Sequence, residues 1–142
     1  MQRRTKIQNV SLGVLRIVAG FLFWQHGAQK LFGWLGADGT VELFSLMGLA
    51  GVLEFFGGLL IVLGLFTRPV AFVVAGEMAV AYFMAHQPRA LAPVQNGGEL
   101  AVLLCFVFLL LTVYGGGAFS LDMLRVGPSG GGSGTGGASA GS

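Results

Sequence analysis

The chain has 142 residues, 54% of them hydrophobic and only 10% charged, with a formal net charge of +2 and a mean hydropathy of +0.79. A water-soluble domain carries about 25% charged residues to keep its surface wet, so this balance excludes a soluble bundle and points to an all-α protein immersed in the lipid bilayer. The basic residues form no stripe interleaved with aromatics, which removes nucleic acid as a partner, and the single cysteine, Cys105, lies in an apolar run and cannot form a thiol pair.

Residues 1–9 are polar and basic, with Arg3, Arg4 and Lys6, and the excess of positive charge assigns this end to the cytoplasm. The first expected span runs from Val10 to Trp34. A basic start before an apolar run is also the pattern of a signal peptide, but Arg16 interrupts the run and no small-residue cleavage site follows, so the segment reads as an uncleaved span. On a helix of 3.6 residues per turn, Gly13, Arg16, Gly20, Phe23, Gly27 and Lys30 share one stripe with His26 at its edge. Glycines seven apart admit a neighbouring helix along the face that bears the charges. The connection over 35–45 carries Asp38 and Glu42 and fits the outer side.

A second span, Leu46 to Phe66, is interrupted only by Glu54, with Gly51 and Gly58 on the same face. The tight Thr67-Arg68-Pro69 turn places a proline at the start of the next helix and an arginine on the cytoplasmic side, which makes spans two and three antiparallel neighbours. Span three, Val70 to His86, carries Glu77. An irregular outer loop with Pro88, Arg89 and Pro93 follows, then span four, Gly97 to Tyr114, which contains Glu99 and is otherwise uncharged. Gly115–Gly117 ends it, and Ser120-Leu121-Asp122 opens a short return segment. Residues 127–142, half of them glycine, are expected to be a disordered tail. The domain order is therefore a basic N-terminus (1–9), a membrane domain (10–126) and the tail (127–142). Arg3, Arg4, Lys6, Arg68 and Arg125 on one side against Lys30 and Arg89 on the other give a four-transmembrane-helix bundle with both ends in the cytoplasm.

A lone charge at the bilayer centre costs about 2.5–3.5 kcal/mol even on insertion scales, so each needs a partner or must be neutralised. Counting from the expected span starts puts Arg16 and Glu77 both roughly 9–12 Å in, which predicts an inner-half ion pair. His26, Lys30, Glu54 and Glu99 fall in the outer half and form a second expected cluster. Such groups can serve packing alone: an ion pair fixes register, a buried carboxyl is protonated and bonded across the bundle, and Lys30 and Glu99 snorkel to water. They can equally hold a small polar head group such as a quinone carbonyl and move protons to it, bind an anion, or conduct protons without redox chemistry. His86, beside Pro88, reads as an interfacial residue. The histidines and glutamates lack the helical pairing of bundle metal sites. Phe21, Phe23 and Trp24, with Phe55 and Phe56, read as core or lipid-facing. No flavin, haem or nucleotide fingerprint is present.

The run LRIVAGFLFWQHGAQKLFG, followed by GVLEFFGGLLIVLGLFTRPVA, GEMAVAYF, NGGELAVLL and FSLD, resembles the DoxX family of small bacterial inner-membrane proteins over residues 12–122. Three elements carry the likeness: His26-Gly27 with Lys30, Glu54 with Gly57-Gly58, and Asn96–Glu99. The resemblance implies a four-helix membrane bundle of the bacterial inner membrane. It also implies a redox setting, since relatives include a subunit of a thiosulfate:quinone oxidoreductase and a scaffold within a mycobacterial redox-stress complex. The expected function is thus a membrane component of a redox system that binds quinone or a small polar substrate, with redox-enzyme subunits or further copies of itself as partners. The alternatives are a non-enzymatic scaffold or assembly factor, and a small-solute or proton pathway.

Overall fold

A computed structural model describes residues 4–126; Arg3 and the glycine-rich segment 127–142 lie outside the described residues. Helix α1 covers Lys6–Phe32. It begins earlier than hydropathy suggests because Thr5 and Gln8 form a reciprocal capping box, in which Gln8 N–H donates to Thr5 Oγ1 and Thr5 N–H donates to Gln8 Oε1 at 2.9 Å. It stops at Gly33, whose left-handed φ of 65° lets its N–H reach the Gln29 carbonyl. Helix α2, Leu46–Leu63, starts at Ser45, whose hydroxyl accepts the Gly48 N–H, and contains one π-helical turn at Leu53–Gly57. Helix α3, Thr67–His86, also closes on a π-helical turn, Tyr82–His86.

Pro69 therefore sits inside the first turn of α3, where an N–H would have no intrahelical partner. The exposed end of this helix is capped from a distance: Asp122 accepts the N–H of Phe66 at 2.8 Å and of Thr67 at 2.9 Å. Three short or shorter helices complete the chain, α4 (Pro93–Asn96), α5 (Glu99–Tyr114) and α6 (Leu121–Arg125). There is no strand among the described residues. Helices α1, α2 and α3, of 27, 18 and 20 residues, are long and apolar enough to cross a membrane, and a third or less of each apolar window is buried inside the protein. Their outward faces, rich in Phe, Leu and Val, are exposed and suit a lipid surrounding.

Two helix pairs build the bundle, α1 along α2 and α3 along α5. The glycine stripe of α1 acts as expected. A Cβ at Gly27 would strike the backbone of Phe55 in the π turn, one at Gly20 would lie 2.9 Å from the Val62 nitrogen, and one at Gly13 would strike the Ala118 carbonyl. Between the pairs lies a core of Phe23, Ile61, Val74, Met78, Leu104, Phe108 and Leu111, in which Phe23 and Phe108 meet edge to face at 5.0 Å.

The expected Arg16–Glu77 ion pair does not form. Arg16 is fully buried and gives all of its guanidinium donors to main-chain carbonyls: Nε to Gly116 (2.8 Å), one terminal nitrogen to Ile61 (2.8 Å) and Val62 (2.6 Å), the other to Ala118 (3.1 Å) and Phe119 (2.9 Å). The reason is register. Arg16 lies level with the end of α2, close to where α3 begins, whereas Glu77 is ten residues, about 15 Å, further along α3. Arg16 thus ties α1 to the end of α2 and to the loop after α5, whose carbonyls are turned inward by positive φ at Gly115, Gly117 and Phe119.

Candidate functional site

A cavity of about 620 Å³ opens between α1, α2, α3 and α5 in the half of the bundle away from Arg16. This is within the size range of small-molecule sites, about 300–1,000 Å³. Its wall is mostly apolar, with Phe23 as its floor and Met47, Met78 and Met84 among its lining side chains. Five ionisable residues face it: His26 and Lys30 from α1, Glu54 from α2, and Glu77 and His86 from α3. His26, Lys30 and Glu54 are the expected outer cluster. Glu77 joins them, having been freed from Arg16 by the register of α3.

Glu54 sits in the π turn of α2, whose backbone at Glu54 and Phe55 packs directly against Gly27 of α1. Lys30 Nζ donates to Glu54 Oε1 at 2.6 Å, and this is the single ion pair among the described residues. Glu54 is 3% exposed, so the pair is dry on the carboxylate side. Three buried carboxyl oxygens, Glu54 Oε2 and both of Glu77, have no hydrogen-bond partner among the described residues. Buried acceptors are almost always satisfied, and an orphan calls for an explanation. Glu77 stands within electrostatic reach of both Glu54 and Lys30, and His26 within reach of Glu54. Two carboxyls face one ammonium, so one more proton would bring the three to neutrality, and a hydrogen-bond-donating guest would satisfy the orphaned oxygens.

Glu99 is not brought to the cavity. It is exposed in the first turn of α5, roughly opposite the buried face formed by Ala101, Leu104, Phe108 and Leu111, and its charge complements the helix N-terminus. Its neighbour in the chain does the work instead. Asn96 is 3% exposed; its amide donates to the Ala90 carbonyl (2.9 Å) and the Tyr82 hydroxyl (3.2 Å), while its side-chain oxygen accepts the Gly98 N–H (2.8 Å). These bonds fix the loop between α3 and α5, from which Gly97 reaches the cavity wall. His86, read from the sequence as interfacial, is anchored there too, with Nδ1 3.2 Å from the Asn96 carbonyl oxygen. Neither residue announces this by spacing, because the π turn that swings His86 inward has no sequence signature.

The DoxX family model matches residues 11–87. The chain is 40% identical over 129 residues to a protein of Haemophilus influenzae, covering 86% of this chain and 96% of that one. It is 33% identical over 131 residues to inner membrane protein YqjF of Escherichia coli, covering 84% and 95%. A more distant relative, 28% identical over 116 residues and covering 77% and 82%, is named "Putative oxidoreductase CatD" in Bacillus subtilis. No solved structure matches the chain. Inner-membrane relatives and three helices able to cross a bilayer make this a multi-pass protein of the bacterial inner membrane, and it belongs to the DoxX family.

Proposed function

We propose that this protein is the membrane component of a redox system and that the cavity between α1, α2, α3 and α5 takes the head group of a quinone or a similarly small polar substrate. Four helices cross the bilayer in this reading: α5, at 16 residues or about 24 Å, completes the span with α4 and the Asn96 loop. Both ends of the chain face the cytoplasm, on the side where Arg4, Arg68 and Arg125 gather.

One observation carries the proposal. Three orphaned carboxyl oxygens and one ammonium meet in an apolar cavity at membrane depth, in a position no lipid-facing charge would adopt. The donor set fits a quinone ring: Lys30 and His26 can donate to carbonyl oxygens, Glu54 and Glu77 can accept from hydroxyls, and the methionines and Phe23 offer a flat apolar slot. Conversion of a quinone to its quinol takes two electrons and two protons. The residues here hold and pass the protons, while the electrons come from a partner redox subunit. The name borne by the Bacillus subtilis relative agrees with such a setting.

A short-chain ubiquinone or menaquinone titrated against purified protein in lipid nanodiscs tests this, with Glu54→Gln as the paired variant. Saturable binding that weakens in the variant is the expected result, and an absence of saturation in the wild type would overturn it. The rival reading is a scaffold whose charges only set helix packing, which the Arg16 network exemplifies. It requires Glu54→Gln to lower stability while quinone-linked electron flow in cells stays unchanged.

A further inference from the structure

A second cavity, of about 770 Å³, lies at the opposite end of the bundle, where the α2–α3 turn, the start of α1, the glycine loop after α5 and α6 converge. Three arginines line it, Arg4, Arg68 and Arg125, each from a different part of the chain. One acid, Asp122, lines it too, and both of its oxygens are engaged by the N–H groups that cap α3. Among the described residues no arginine here is in an ion pair within 4.0 Å, although Arg125 lies three residues from Asp122 and feels its charge.

The guanidinium groups are held flat and pointed. Arg125 lies over the Phe66 ring, 4.1 Å from its centroid. Arg4 lies over Tyr114 at 5.7 Å and donates one bond to that residue's carbonyl at 2.7 Å. Arg68 runs across Gly115, where a Cβ would come within 3.2 Å of its Nε. Stacking engages the guanidinium faces of Arg4 and Arg125; the N–H edges of Arg68 and Arg125 have no partner among the described residues and Arg4 gives one bond to Tyr114, which leaves the fork geometry that matches phosphate oxygens. The apolar side chains Phe66, Met123 and Val126 stand beside the cations, at the level where the apolar helices α2 and α3 stop. Cation edge and apolar flank together suit a group that is anionic at one end and greasy at the other.

We propose that this cavity binds a phosphate group, carried by an anionic phospholipid or by a soluble phosphate compound. The site is separate from the quinone cavity and does not depend on that reading. Purified full-length protein is to be exchanged into nanodiscs of phosphatidylcholine alone or with phosphatidylglycerol, and in a parallel arm given inorganic phosphate in phosphatidylcholine discs. Bound lipid is counted by native mass spectrometry, and phosphate binding is read by calorimetry. Wild-type protein is expected to retain phosphatidylglycerol, and Arg68→Gln with Arg125→Gln to weaken retention by roughly tenfold or more. Arg68→Lys with Arg125→Lys, which keeps charge and loses the fork, should fall between. Arg89→Gln, on the loop at the far end, should match wild type. Retention of lipid without phosphate binding assigns the site to lipid; phosphate binding that the double Gln variant abolishes assigns it to a soluble phosphate. Equal retention by wild type and both double variants, with no phosphate binding, would overturn the proposal.

Discussion

Replacing Arg16 with methionine keeps the apolar stem of the side chain and removes the guanidinium with its five donors. The acceptors left behind are the carbonyls of Gly116, Val62, Ala118 and Phe119, while that of Ile61 keeps a bond from the Gly64 N–H. A buried acceptor stripped of its partner costs about 1–3 kcal/mol. Four at the low end sum to about 4 kcal/mol, and relief of the guanidinium's own desolvation returns part of it, so a net loss of about 3 kcal/mol is expected. For a chain of this size each kcal/mol moves Tm by roughly 3–5 °C, which gives a fall on the order of 10 °C in detergent, read by tryptophan fluorescence or a thiol-reactive dye on Cys105. Arg16→Lys, with three donors on a point charge, should recover less than half. Glu77→Gln, which would be equally damaging if Arg16 and Glu77 were paired, should leave Tm unlowered. An Arg16→Met protein within about 2 °C of wild type, or Glu77→Gln falling as far as Arg16→Met, would refute the reasoning.

Glu77→Met removes two orphaned acceptors from an apolar wall and should raise stability by about 1–3 kcal/mol while weakening quinone binding, a gain in Tm bought with function. Gly27→Ala drives a methyl into the Phe55 backbone and should cost about 1–3 kcal/mol in thermal unfolding. Gly76→Ala, which meets nothing within 4 Å, should be neutral or slightly stabilising. Asp122 is partly buried, which pushes its carboxyl up, but the N–H groups donated by Thr67 and Phe66 and the charge of Arg125 outweigh this and hold it below the usual carboxylate value. A folded-state value below the unfolded one stabilises the protein above the ordinary carboxylate range, and that contribution fades as pH falls through the folded value. Acid unfolding curves should therefore show a component that Asp122→Asn removes.

The sequence was legible wherever a signal lay in spacing. The seven-residue glycine stripe of α1 marked the face that meets α2, and Gly51 and Gly58 marked the face of Glu54. Arg16 was correctly placed in protein and wrongly partnered, for two physical reasons. Depth counted from each helix's own start took the starts of α1 and α3 as level, whereas Arg16, ten residues into α1, lies beside Ile61–Gly64 at the end of α2, where α3 only begins. Main-chain carbonyls, which all of the arginine's donors found, leave no trace in residue type. Glu77 and His86 were displaced from the expected site for a related reason, since register and a π turn decide where they point. Glu99 illustrates the reverse error: a place in the outer half suggested a place in the cluster, while the rotation of α5 turns it outward.

Whether a ring occupies the space beside Glu54 and Glu77 is most directly read by photolabelling. A short-chain azidoquinone is to be crosslinked to the protein in nanodiscs and the modified peptides mapped. The account predicts label on the cavity faces of α2 and α3, around Ala50–Glu54 and Glu77–Ala81, competed by excess unlabelled quinone and lost in Glu54→Gln. Label confined to the lipid-facing side chains Phe72, Phe83 and Phe106, insensitive to competitor and unchanged in the variant, would contradict it.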